Sequence, residues 1–221
     1  PLYSSAASDV YKRQISIWDL ESGHRYASEN EAFEIFRQAA KILTLYHDPH
    51  TFRQIHPWHH AAGDFVVKTG EEGIHVKLTT ARNYRSIMDF FSKDAVHPMI
   101  AWTYFFLNLT LKMRLDRLEG VGEAVWAEDF VVRAATTGFF EGLSAMKKAG
   151  RFQCDEANEI LVLFQSFGEE ELEPIFQSLD LLYEGADAAE VSLVQANLKN
   201  HIRVLVQTLQ AIHPRVLPQA F

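Results

Sequence analysis

Asp64-Phe65-Val66-Val67-Lys68 and Ile74-His75-Val76-Lys77-Leu78-Thr79, joined by Thr69-Gly70-Glu71-Glu72-Gly73, decide the fold class of this chain. Both runs are short and rich in β-branched or aromatic residues, and the link between them carries two glycines. They read as the two strands of a β-hairpin. No other segment gives a strand signal of that strength. A lone hairpin is marginal in water, so this one has to lie on neighbouring helices or join further strands.

Working outward, Ser28-Glu29-Asn30-Glu31 has the capping-box pattern, and Phe33, Phe36, Ala40, Leu43 and Tyr46 follow at helical spacing. A helix is expected over residues 29 to about 47, closed by Asp48-Pro49. Residues 50–63 have no period and hold Pro57 and Gly63, which predicts a loop packed by Phe52, Ile55 and Trp58. Beyond the hairpin, Pro98 suits the first turn of a long helix reaching about residue 119, with Gly120 and Gly122 stopping it. Its first half, residues 99–111, is apolar nearly all round and so belongs to the core. Its second half places Arg114, Asp116, Arg117 and Glu119 in a mixed-charge patch that reads as solvated more readily than as an ion-pair hub. A further helix is expected from 123 to about 149, with Gly138 and Gly142 four apart on one side, where small residues let another backbone approach. Residues 150–153 read as a joint, and helical stretches near 155–167, 174–183 and 188–212 follow. The expected fold is therefore α+β, predominantly α-helical: a core over 15–150 with its hairpin on long helices, and a C-terminal helical subdomain over 151–221.

Composition narrows the function classes. The chain has 221 residues, a net charge of −8 and 48% hydrophobic residues, 16 of them Phe. That is enough apolar side chain for a real core, and it argues against disorder. An acidic chain without a basic stripe lacks the electrostatic footprint of a nucleic-acid binder. The apolar run at 99–111 is shorter than the ~20 residues of a membrane span. Cys154 is the single cysteine, so neither an intrachain disulfide nor a thiolate-rich zinc site is expected, and a reducing cytosol fits best.

Residues 4–14, Ser-Ser-Ala-Ala-Ser-Asp-Val-Tyr-Lys-Arg-Gln, resemble the conceptual translation of a transposon-type sequencing adapter. That resemblance implies that 1–14 are foreign and disordered, with native sequence resuming near Ile15. It also implies that the rest is part of something larger.

The densest chemistry is His56-Pro57-Trp58-His59-His60-Ala61-Ala62-Gly63-Asp64-Phe65. Imidazole and carboxylate suit zinc or iron, which makes His56, His60 and Asp64, or His56 with His59, candidate metal ligands. Pro57 and Gly63 interrupt any helix that would align residues four apart. Histidines that cap, hydrogen-bond or stack on Trp58 are the plainer reading.

Gly63-Asp64-Phe65, preceded by a helix and followed by an apolar hairpin and a long apolar helix, resembles the C-terminal lobe of the aminoglycoside and choline phosphotransferase group of kinase-like enzymes. The resemblance covers about residues 29–143. It implies that Asp64 matches the catalytic aspartate and His60 its accompanying histidine, although His60 stands two residues too far away. In that group an asparagine a few residues on holds magnesium, and a hairpin strand ends in a metal-binding aspartate. Here no asparagine follows within the hairpin, Asn83 comes late, and the second strand runs out in Leu78-Thr79-Thr80-Ala81. Phosphoryl transfer depends on metal-neutralised charge, so these departures imply a degenerate or truncated phosphotransferase without activity as it stands. ATP and magnesium are the implied cofactors.

Lys77, Arg82 and Arg85 flank the hairpin exit and form a candidate anion site, their competing role being ion pairs with acids such as Asp89. No Gly-x-Ser-x-Gly elbow supports serine nucleophile chemistry. Cys154 stands beside Asp155 and Glu156, whose charges oppose thiolate formation. Glu169-Glu170-Glu171 suits a helix N-terminus and needs no further role. The alternatives to the kinase-like reading are a helical interaction module with a protein partner on 151–221, and a small metalloprotein built on the histidine loop.

Overall fold

A computed structural model describes residues 5–9, 14–19, 23–58, 64–70, 73–90, 97–118, 122–151, 156–179 and 187–212. Its order is β1 (Ser5–Asp9), β2 (Gln14–Asp19), β3 (Gly23–Tyr26), α1 (Glu29–Leu45), β4 (Arg53–Ile55), β5 (Phe65–Gly70), β6 (Gly73–Leu78), β7 (Tyr84–Ser86), a 3-10 turn (Ile87–Phe90), α2 (Pro98–Lys112), β8 (Leu115–Arg117), β9 (Ala124–Trp126), α3 (Phe130–Lys148), α4 (Glu156–Ser166), α5 (Glu169–Ser178) and α6 (Ala188–Ala211). The class is the expected one: helices dominate, and the strands are short antiparallel pairs. Segment 5–9, expected to be disordered, instead pairs antiparallel with β2, from Ser5 opposite Trp18 to Asp9 opposite Gln14. Main-chain pairing of this kind needs no particular side chains, so composition did not announce it.

The capping box forms at α1. Glu31 N–H donates to Ser28 Oγ (3.3 Å), and Ser28 N–H donates to the Glu31 carboxylate (2.9 Å). Arg25 adds its guanidinium to the same carboxylate at 2.7 and 3.1 Å. These bonds, the Arg25 one first, hold the Glu31 pKa down to about 2. From this start the helix buries Ala32, Ile35, Phe36, Ala39, Ala40 and Leu43. Across that face runs α3, and the glycine pair does what its spacing implied. A Cβ at Gly138 would stand 2.0 Å from the Arg37 carbonyl oxygen, and one at Gly142 would stand 2.6 Å from Thr44 Cβ. Arg37 also pairs with Glu141 across the same contact.

The hairpin packs on α1 as it had to. Phe65 pairs with Leu78 and Val67 with Val76, putting Phe65, Val67 and Val76 on the buried face. Gln38 of α1 serves the ribbon's edge: its Nε2 donates to the Ile74 carbonyl (2.7 Å), and its Oε1 accepts from Val76 N–H (2.9 Å). One side chain thus completes two main-chain groups of an edge strand.

Two helix boundaries differ from expectation. The long apolar helix ends at Lys112, and Leu115-Asp116-Arg117 forms β8, paired with β9 where the next helix was expected to begin. The leucines at 111, 115 and 118 carry a helical period, but a run this short fits strand as well, and packing decides. Arg114 fixes the break. Its Nε donates to the Ala127 carbonyl (2.9 Å), its Nη2 meets Asp129 (2.8 Å), and its guanidinium lies 5.0 Å from the Trp126 ring centroid. The solvated patch is therefore corrected for the residues described. Arg114 and Asp116 are 2% and 5% exposed, and Arg117 pairs with Asp187 and Glu190 at the start of α6. In α5, Pro174 lies inside the helix rather than opening it. The helix begins a turn earlier, where the Glu171 carboxylate accepts the Gly168 N–H at 2.9 Å.

Helices α4 to α6 cover the core and share it. Ile160, Phe164, Leu172, Phe176 and Leu205 belong to the same apolar cluster as Trp102, Phe106 and Phe139. Phe106 and Phe164 stack with centroids 4.6 Å apart. Each such buried ring contributes about 2–3 kcal/mol relative to exposure, which makes these helices integral to folding. Among the described residues no helix is long and apolar enough to cross a membrane.

Candidate functional site

The site is framed by a strand pair that the sequence did not announce. Arg53-Gln54-Ile55 and Tyr84-Arg85-Ser86 are each only three residues long, and they pair antiparallel as β4 and β7. The chain between them leaves and returns at one place, so the histidine loop, the hairpin and the segment 79–83 form one excursion. His56 N–H donates to the Asn83 carbonyl (3.2 Å), tying the two ends together. Asn83 spends its side chain locally, accepting Tyr84 N–H on Oδ1 at 2.8 Å.

Asp64 stands directly before β5, at the open end of the ribbon. Its carbonyl accepts Thr79 N–H (2.8 Å), Thr80 N–H (3.4 Å) and the Thr79 hydroxyl (3.1 Å), pinning the segment after β6 against it. Its carboxylate is 2% exposed. Both oxygens accept from Arg82 Nε, at 3.1 and 3.0 Å. Arg82 is 42% exposed, and the bond and charge of Asp64 raise its pKa further. The guanidinium therefore stays charged at any ordinary pH.

The other candidates separate. Lys77 is exposed on β6, and Arg85 is half-buried in β7 opposite Gln54. Of the three cations proposed for an anion, Arg82 bonds the Asp64 carboxylate. Asp89, the expected partner of these cations, is exposed on the 3-10 turn after β7. His56 is 6% exposed. His59 and His60 lie outside the described residues. Among those described, no group of three histidine, cysteine, aspartate or glutamate side chains is placed to hold a metal.

Two buried histidines were given no role in the sequence. His47 lies 4.1 Å from the Trp102 ring and 4.6 Å from that of Phe105, with neither ring nitrogen hydrogen-bonded. Burial pushes its pKa down to about 3, against the opposing pull of Gln54 and Asp48. His201 is fully buried between Phe176 and Trp126, its Nε2 at 3.4 Å from Thr110 Oγ1. Burial, and then the Arg114 charge, push its pKa down to about 3 as well. Both rings are neutral packing elements.

Comparison with known protein families, with curated proteins and with solved structures returned no match.

Proposed function

We propose that the chain is a degenerate phosphotransferase-like domain of kinase fold that transfers no phosphoryl group as it stands, with Asp64 the inherited catalytic acid. The observation that carries this reading is the Asp64–Arg82 pair: a buried carboxylate at the mouth of a hairpin with both oxygens on one guanidinium. An aspartate in that role has to accept a hydroxyl proton or help order a metal-bound phosphate. Arginine does not give up its proton, so Arg82 holds the face of the carboxylate that a hydroxyl or a metal-bound phosphate would have to reach. The order helix, strand, loop, hairpin, returning strand supports the reading. ATP and magnesium are the cofactors it implies.

The test is a melting curve with ATP or GTP and magnesium, run beside an assay for released nucleoside diphosphate. Binding to the folded state alone raises Tm, so nucleotide is expected to stabilise the wild type while turnover stays at background. Arg82→Ala, which removes the guanidinium from Asp64, is expected to make the shift depend on magnesium. No shift with any nucleotide in either protein overturns the reading, and so does rapid turnover by the wild type.

A second reading, a helical interaction module, is favoured by Val162, which is 62% exposed on α4. Because α4 to α6 share the core, truncation does not test it cleanly. Val162→Glu does: loss of a pulled-down partner with an unchanged melting curve supports the module, and retention of the partner removes Val162 from it.

A further inference from the structure

We propose that Arg82, fixed on the buried Asp64 carboxylate through Nε, presents its outer guanidinium edge as a metal-independent site for a phosphate-type oxyanion. The inference rests on the phosphotransferase-like reading of Asp64 and says what the altered site binds.

The geometry is that of an anchored fork. Nε alone is spent on Asp64, and neither Nη1 nor Nη2 has a hydrogen-bond partner among the described residues. The anchor is firm, because Asp64 is 1% exposed and its own carbonyl holds Thr79 and Thr80 against it. The fork itself is open: the Arg82 side chain is 42% exposed, and Thr79, Thr80, Ala81 and Asn83 around it are exposed too. A guanidinium fixed at Nε presents two parallel N–H groups in one plane, the pattern that meets two oxygens of a phosphate. Fixing the side chain beforehand removes much of the entropy cost that a free surface arginine meets on binding. The buried carboxylate supplies the fixing and stays compensated throughout. Arg82 brings the positive charge itself, so the oxyanion binds without magnesium.

Inorganic phosphate, pyrophosphate and ATP are titrated into the full chain in EDTA, with the melting temperature and a calorimetric isotherm as readouts. Saturable binding of pyrophosphate in EDTA is expected. Arg82→Lys keeps a cation on Asp64 and so keeps the fold, but it loses the fork and is expected to bind about tenfold more weakly. Arg82→Gln is expected to abolish binding, while Lys199→Gln, exposed on α6, leaves it unchanged. Pyrophosphate binding that is absent in EDTA, or that is equal in Arg82→Lys and the wild type, overturns the proposal. Should pyrophosphate bind through Arg82 while ATP and GTP do not, the oxyanion site stands and the phosphotransferase reading falls. Should nucleotide bind only with magnesium and regardless of Arg82, the reading stands and this site falls.

Discussion

The α-carbon of Gly138 in α3 faces the main-chain carbonyl of Arg37 in α1 so closely that a single added carbon would stand 2.0 Å from that oxygen. The obstacle is backbone on both sides, so no rotamer change relieves it. Gly138→Ala is therefore expected to force the two helices apart and to cost at least about 3 kcal/mol, the upper end for overpacking a tight core. Gly142→Ala meets the Thr44 side chain first, at 2.6 Å, and is expected to cost less. Urea unfolding of the two variants checks the order. A Gly138→Ala protein as stable as the wild type would show that the helices are not in this contact.

His47 and His201 make the protein sensitive to acid. In the folded state both stay neutral down to about 3, against an ordinary value of 6.5. Between those limits the unfolded chain binds more protons than the folded one, so stability is complete above pH 6.5 and falls as the pH drops toward 3. The slope approaches about 1.4 kcal/mol per pH unit for each histidine. The His47 ring packs on Trp102 and Phe105 with no hydrogen-bond partner at either ring nitrogen, so His47→Leu is expected to keep neutral-pH stability within about 1 kcal/mol while removing one share of the slope. Urea midpoints at pH 4.5, 5.5 and 7 give the comparison, and an unchanged slope would mean that His47 is solvated.

The hairpin, the capping box, the glycine pair and the wholly apolar helix were legible because each leaves a local pattern with one physical solution. Phe65, Val67 and Val76 alternate inward, Ser28 precedes Glu31 by three, and Gly138 precedes Gly142 by four. The two three-residue strand pairs were not legible. A run such as Leu115-Asp116-Arg117 carries no period of its own, and its strand form depends on Trp126 and Arg114 meeting from either side of a turn. The site was half legible. Asp64 stood out by its place before an apolar ribbon. The ribbon register, which sets Thr79 against Asp64, already brings the segment after β6 to the carboxylate, but which of Lys77, Arg82 and Arg85 turns back onto it is decided by side-chain packing and leaves no local pattern.

Gln38 offers a test of how the ribbon is held. Its amide satisfies the Ile74 carbonyl and the Val76 N–H together, so Gln38→Ala leaves two partly buried main-chain groups without a protein partner. The expected loss is about 1–3 kcal/mol. Hydrogen exchange at the Val76 amide should speed up more than at amides within α3. Equal protection of Val76 in variant and wild type would show that the ribbon holds its edge without α1.

The side chain of Asp129 joins two parts of the core. It accepts from Arg114 at 2.8 Å and from Asn200 of α6 at 3.1 Å, and it stands at the start of α3, where an acid also favours the helix dipole. The Arg114 side chain is 3% exposed and that of Asp129 is 54% exposed. Breaking the pair therefore leaves a buried cation, but the acid being lost is already half in water. Burial also lowers the Arg114 pKa, with Asp129 opposing the shift, which marks the cost of keeping that charge inside. Asp129→Ala is expected to cost about 2 kcal/mol, below the range for a fully buried pair. Asp129→Asn keeps an acceptor for Arg114 and should cost less than half of that. Salt separates the two variants further: the gap between wild type and Asp129→Asn should narrow as ionic strength rises, because what the asparagine lacks is charge. A gap that salt leaves unchanged would assign the whole effect to hydrogen bonding and packing around Trp126.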